Sequence, residues 1–208
     1  MSKRYICLFC LLLPIIVWGQ GFKGKTLLIT PHISGIYIGD NDQIMNNVLT
    51  ANIDIEKTIN RSYSFGLRAY TQLNDEDFQW ESPITSRTIN GQFTGYGYGI
   101  FLRRYFFNFG AIAPLGTFFQ VGVSRNTYTI LDELEVEEVR LKTLAGSITY
   151  GLNWFLGNNV LLFSALEFKY ELPDYPSGTD NDFAFRFNNE LRETLPISFK
   201  LGLTIPIL

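Results

Sequence analysis

Beyond residue 20 the chain is written in segments of about ten residues in which apolar and polar side chains take turns, again and again. It holds no run approaching the roughly 18 to 20 apolar residues that a membrane-crossing helix requires, so transmembrane helices are excluded. Strand side chains alternate with a period of two, and each segment therefore reads as a strand with one apolar and one polar face. The clearest is the last. Ile197, Phe199, Leu201, Leu203, Ile205 and Ile207 share a face, opposite Ser198, Lys200, Gly202, Thr204 and Pro206. Likewise Leu49, Ala51, Ile53 and Ile55 oppose Thr50, Asn52, Asp54 and Glu56, and Tyr63, Phe65, Leu67 and Ala69 oppose Ser64, Gly66, Arg68 and Tyr70. Ile148, Tyr150, Leu152 and Trp154 oppose Ser147, Thr149, Gly151 and Asn153. Leu162, Leu166, Phe168 and Tyr170 oppose Ala165, Glu167, Lys169 and Glu171. Three less regular strands fall at about 26 to 39, 92 to 106 and 114 to 125, making eight.

Composition agrees with an all-β reading: 18 Phe, 11 Tyr and 18 Gly accompany many Val, Ile and Thr, the types that fit pleated strands. A chain of 208 residues with 18% charged residues is expected to form a single domain. Its formal charge of -3 has the wrong sign to neutralise phosphates, so no nucleic-acid partner is expected.

The first residues have another purpose. Lys3 and Arg4 precede an apolar stretch from Tyr5 to Trp18, followed by small Gly19, the layout of a secretory signal peptide. We therefore expect a signal peptide over 1–19 and an outer-membrane β-barrel over 20–208. Cys7 and Cys10 both fall in the leader, which leaves the mature part without cysteine and its stability dependent on a core or a membrane. Without Lys3 and Arg4, 15 of the 17 bases remain against 20 acids.

The links between strands alternate in length. Residues 40–47, 74–91, 126–140 and 172–194 are long or polar, whereas Asn60 to Ser62, Asn108 to Ala113 and Gly157 to Asn159 are tight. An even number of antiparallel strands, with short turns at one end and long loops at the other, describes a closed transmembrane β-barrel of the bacterial outer membrane. A soluble barrel or sandwich also has about eight alternating strands, but it turns its apolar face inward. Here the polar face carries full charges: Asp54, Glu56, Glu167 and Glu171 beside Arg68, Arg103, Lys169 and Lys200. Eight strands leave an interior that side chains fill, so these four acids and four bases are expected to form one balanced lumen network.

The segment Thr94-Gly95-Tyr96-Gly97-Tyr98-Gly99 is followed by no helix pattern, which argues against a dinucleotide-binding loop. On a strand its glycines face inward beside bulky interior groups. Tyr96 and Tyr98 face outward and, with Tyr150, Trp154, Phe168 and Tyr170, are expected to form the aromatic girdle at the membrane interfaces.

Two runs carry a family resemblance: Tyr98-Gly99-Ile100-Phe101-Leu102-Arg103-Arg104-Tyr105-Phe106, and Tyr150-Gly151-Leu152-Asn153-Trp154-Phe155-Leu156 leading into a turn. They resemble the small bacterial outer-membrane β-barrel family, similar to outer membrane proteins A, X and W and to the Bacteroidetes-type outer-membrane β-barrel domain. The resemblance covers residues 21–208. It implies residence in the outer membrane of Gram-negative bacteria, with outer-membrane lipid, lipopolysaccharide and the barrel assembly machinery as partners. Many such proteins end on an aromatic residue, whereas this chain ends Ile207-Leu208.

No cofactor and no metal is expected, because no histidine or cysteine cluster is present. The acids Asp75, Glu76, Asp77, Asp132, Glu133, Glu135, Glu137 and Glu138 lack the spacing of a calcium loop. We read the chain as a non-enzymatic barrel with a filled lumen, acting structurally or through its extracellular loops, whose partner the sequence does not name. Two alternatives stay open. One is a porin-like conduit or binder for small hydrophobic molecules, as in outer membrane protein W. The other is a lipid A-modifying enzyme using His32 and Ser34, which share a face of the first strand but stand roughly 6 to 7 Å apart along it.

Overall fold

The computed structural model describes residues 26–37, 48–73, 76–81, 88–106, 113–132, 138–157, 160–174 and 197–207. Its strands are β1 (Leu27–Tyr37), β2 (Val48–Thr58), β3 (Tyr63–Gln72), β4 (Glu76–Glu81), β5 (Thr88–Phe106), β6 (Gly116–Asp132), β7 (Glu138–Gly157), β8 (Val160–Asp174) and β9 (Ile197–Pro206). Antiparallel pairing runs β3-β2-β1-β9-β8-β7-β6-β5-β4, and a further β3–β5 ladder closes the ring. Strands β3 and β4 make one stave. β3 lies along Tyr96 to Arg104 of β5 and β4 along Thr88 to Phe93. From the Thr71–Tyr96 pair to the Glu76–Phe93 pair, β3–β4 advances five residues while β5 advances three. The result is an eight-staved barrel with no open edge around its waist.

The stagger can be followed pair by pair. From Leu27 the register passes to Lys57, Phe65, Leu102, Val121, Ile148, Phe168 and Ile197, and returns to β1 at Tyr37. Leu27 to Tyr37 is a displacement of ten residues along one strand. Closure with such a stagger tilts the strands by about 35 to 45°. Ten residues at about 3.3 Å each, tilted by about 40°, rise roughly 25 Å along the axis, the height of an outer-membrane apolar band.

The faces are inside out relative to a soluble barrel. Tyr98 (59%), Trp154 (57%), Phe199 (54%) and Leu67 (53%) are open to the surroundings, while Asp54, Glu56 and Arg103 are wholly enclosed. A wall of exposed Ile, Leu, Phe and Val around a charged interior belongs in lipid, and closing the sheet pairs the backbone groups that hydrocarbon cannot solvate. The soluble alternative fails on this inversion.

One end collects the start of β1, the end of β9 and the short links. There Asn60 Oδ1 accepts hydrogen bonds from the backbone N–H of Ser62 (2.8 Å) and Tyr63 (2.9 Å), closing the β2–β3 turn. Gly116 opens β6 at φ 99°, a conformation natural to glycine. Asn153 Nδ2 donates to the Pro114 carbonyl at 2.7 Å and ties this turn to β7.

Two expected loops are mostly strand. Residues 126–140 hold the end of β6 and the start of β7, which pair as far as Leu131 with Glu138, and residues 74–91 hold β4 and the start of β5. The stretch from Asn126 to Thr129 is polar on both faces because Asn126 and Tyr128 enter the polar lumen while Thr127 and Thr129 stand above the apolar belt; the backbone ladder, not composition, keeps it extended. The expected signal peptide, Cys7 and Cys10, residues 40–47 and most of 172–194 lie outside the described residues.

Candidate functional site

The interior is built by parity. On each strand the residues opposite the apolar face enter the lumen, and four carboxylates and four cations lie there among the described residues. Arg68 on β3 holds Asp54 on the neighbouring β2 through two bonds, Nε to Oδ1 at 2.7 Å and a second guanidinium nitrogen to Oδ2 at 2.9 Å. Its third nitrogen crosses the lumen to Glu167 on β8 at 2.6 Å. Lys200 on β9 meets the other oxygen of Glu167 at 2.6 Å. Arg103 on β5 reaches Glu56 at 2.5 Å and Asp54 at 3.4 Å, and donates twice to Gln120 Oε1, at 3.0 and 2.8 Å. Tyr105 donates its hydroxyl to Glu56 at 2.6 Å. These groups form one chain from Tyr105 to Lys200 in which every charge has an opposite partner, the condition under which buried ions offset their desolvation.

Aromatic rings enclose the lower part of this chain, nearest the short turns. The Arg103 guanidinium lies 4.2 Å from the Phe118 ring centre, 5.0 Å from Phe101 and 5.6 Å from Phe163. Phe118 and Phe163 stack at 5.7 Å, and Tyr105 meets Phe118 edge-on. Glycine makes the space: a methyl group at Gly66 would overlap the Phe101 ring, and one at Gly151 would overlap Phe118.

Higher up, Lys169 pairs with Glu171 at 2.5 Å and donates to the Tyr70 hydroxyl at 3.1 Å. Glu171 also accepts from Tyr128 (2.6 Å) and Thr143 (2.5 Å). Gly95 and Gly97 lie inward against Tyr128 and Tyr70, leaving them room. A cavity of about 40 Å³ lies between the two groups, bordered by Ser34, Asn52, Arg68, Glu167 and Lys169 and by the apolar Phe101 and Val123 among others. That is room for roughly two or three water molecules.

His32 and Ser34 both face inward, yet they do not bond to each other. His32 Nδ1 lies 3.1 Å from the Thr30 carbonyl and its ring packs 5.0 Å from Phe163. Ser34 shares its hydroxyl with Thr50 (2.6 Å) and Asn52 (3.0 Å). The six girdle residues Tyr96, Tyr98, Tyr150, Trp154, Phe168 and Tyr170 are exposed on the outer face. Tyr98 and Tyr96 mark the upper end of the belt on β5, while Trp154 lies near the short-turn end on β7.

Sequence reasoning passed over Tyr70, Tyr105, Gln120, Tyr128 and Thr143 as network members. Their parity was available, but only their partners across the lumen show what they hold. It also passed over Arg125 and Lys142, outward-facing bases at the top of the apolar belt: Arg125 stood at the very end of the expected strand 114–125 and Lys142 between the expected loop and the next marked strand, so nothing placed them side by side.

No protein-family profile matches the sequence, and no curated protein matches it. Solved structures do. The N-terminal β-barrel domain of Pseudomonas aeruginosa OprF superposes with a TM-score of 0.50 at 11% identity, covering 87% of this chain and 96% of that domain. Neisserial surface protein A gives 0.49 at 10% identity, covering 87% and 97%. OprG of Pseudomonas aeruginosa gives 0.48 at 10%, covering 89% and 97%. At these identities the OprF likeness speaks to fold.

Proposed function

From the premise that this chain has the small eight-stranded barrel fold of bacterial outer-membrane proteins, we propose that it is a non-enzymatic, non-conducting resident of that membrane acting through its extracellular end. The observation that carries this reading is the plug. Arg103 is wholly enclosed by Glu56, Gln120 and the rings of Phe101, Phe118 and Phe163, which supports a lumen closed beneath its small cavity. Against a conduit for small hydrophobic molecules stands the size of the cavity, which at about 40 Å³ admits a few waters and no larger molecule. A hydrolytic role finds no support either, because His32 and Ser34 bond elsewhere and, among the described residues, no carboxylate is hydrogen-bonded to the imidazole. What remains free to vary in function is the end where β5, β6 and β7, at 19, 17 and 20 residues, outrun β1, β2 and β9, at 10 or 11.

Two measurements test the proposal. In planar bilayers the purified protein should give no stable single-channel steps; large steady steps would overturn the closed lumen. On intact cells, cysteines placed at Ser86 and Glu135 should react with a membrane-impermeant maleimide while one at Asn60 stays protected. The reverse pattern would invert the barrel.

A further inference from the structure

The outer wall is not uniformly smooth. A shallow groove of about 530 Å³ runs across it, bordered by Ile53, Leu67, Ala69, Ile100, Val123 and Leu144, with Arg125 at its upper rim. Its floor is low at Ala69, which stands level with Tyr98 on the adjoining strand. In an outer-membrane barrel this wall is bathed in acyl chains, and a concave apolar strip there fits a hydrocarbon chain better than the convex wall beside it.

The rim supplies the second half of the argument. On β6 the outward residues change from Phe119, Val121 and Val123 to Arg125, Thr127 and Thr129, and on β7 from Ile148 and Leu144 to Lys142 and Arg140. Arg125 pairs across with Leu144, Thr127 with Lys142 and Thr129 with Arg140, so three bases climb the β6–β7 seam as the wall leaves the apolar belt. Their end of the barrel is that of the long strands, which places them at the headgroup level of the outer leaflet. Arg125 and Lys142 are exposed and make no salt bridge among the described residues. Arg125 borders the groove itself, so it is the principal anchor. A guanidinium binds phosphate oxygens in a two-pronged manner that ammonium cannot match.

We propose that the groove and the basic seam above it form a site for one anionic lipid of the outer leaflet, its phosphate held by Arg125 and Lys142 and an acyl chain lying along the groove. This goes beyond the closed-lumen reading and does not depend on it, since every residue involved is on the outer face.

Native mass spectrometry of the folded protein in detergent tests the site, with dioleoyl phosphatidic acid, dioleoyl phosphatidylcholine and inorganic phosphate as probes. Phosphatidic acid should form a one-to-one adduct several-fold tighter than phosphatidylcholine, and inorganic phosphate should not displace it. Arg125→Gln should weaken phosphatidic acid about tenfold, the loss of a charge-assisted hydrogen bond, and leave phosphatidylcholine unchanged. Ala69→Trp, which fills the groove, should weaken both lipids. Folding of each variant is read independently from its heat-dependent electrophoretic mobility. If the anchor variant runs unfolded, Lys142→Gln takes its place, with a smaller loss expected. Equal binding of the two lipids, an unchanged affinity in folded Arg125→Gln, or displacement by inorganic phosphate would each overturn the proposal.

Discussion

Between its short-turn end and its long-strand end the lumen changes chemistry. In the lower part, three cations share three carboxylates, and Arg103 is pressed among aromatic rings with every donor occupied. In the upper part a single pair, Lys169 and Glu171, is dressed by the hydroxyls of Tyr70, Tyr128 and Thr143, and Lys169 keeps some exposure. Both parts are neutral overall, but by different means. Below, charge is balanced by charge, and around Arg103, Asp54 and Glu56 the space excludes water. Above, neutral hydroxyls share the load and solvent is near, so each charge there depends less on one partner.

The sharpest way to break this contrast is at Arg103. Arg103→Ala should lower stability by about 3 to 5 kcal/mol in urea unfolding from lipid vesicles, because Glu56 and Asp54 lose a cation where no water can replace it. Replacing both members, Arg103→Met with Glu56→Gln, should cost distinctly less than the two single changes together, a coupling of about 0.5 to 3 kcal/mol. Additive costs would mean that the lower network is solvated and the comparison mistaken.

Outside the lumen, Leu201→Arg tests the lipid-facing wall through β9. It should cost about 2 to 4 kcal/mol near the midplane, scored by the same unfolding assay. Full tolerance would show that this face does not meet hydrocarbon.

Packing supplies a gentler test on a single strand. Gly151→Ala drives a methyl group into Phe118 and Ala165 and should cost about 1 to 3 kcal/mol, whereas Gly146→Ala, on the outer face of β7, meets nothing within 4 Å and should change stability by no more than about 0.5 kcal/mol. Equal effects would deny that the lower lumen is tightly packed. The smallest effect is expected above. Glu171→Gln should cost toward the low end of about 1 to 3 kcal/mol, since Lys169 retains Tyr70 and access to water. A loss as large as that of Arg103→Ala would erase the difference between the two ends.

How much of this was legible beforehand depends on the range of the signal. The C-terminal segment gave β9 almost residue for residue, and the run from Leu49 to Glu56 gave β2, because alternation is written into neighbouring positions. Where polar residues filled both faces, as from Asn126 to Thr129, the same rule read strand as loop. The outward bases Arg125 and Lys142 flank that stretch, and only the β6–β7 register brings them together above Val123 and Leu144.

By itself the sequence determined the barrel's inside-out character: a strict period of two put hydrocarbon on one face and charge on the other, and the alternation of tight and polar links set which ends meet. It could not determine which charges meet. Arg68 bridges to Glu167, 99 positions away, and Arg103 to Glu56, 47 away, across a lumen whose register is a ten-residue stagger accumulated over eight ladders. Alternation is a local property of each strand, indifferent to how far that strand slides by an even number of residues past its neighbour. The stagger is a property of ring closure, fixed only when interior volumes, the glycines that admit them and the paired charges are satisfied together.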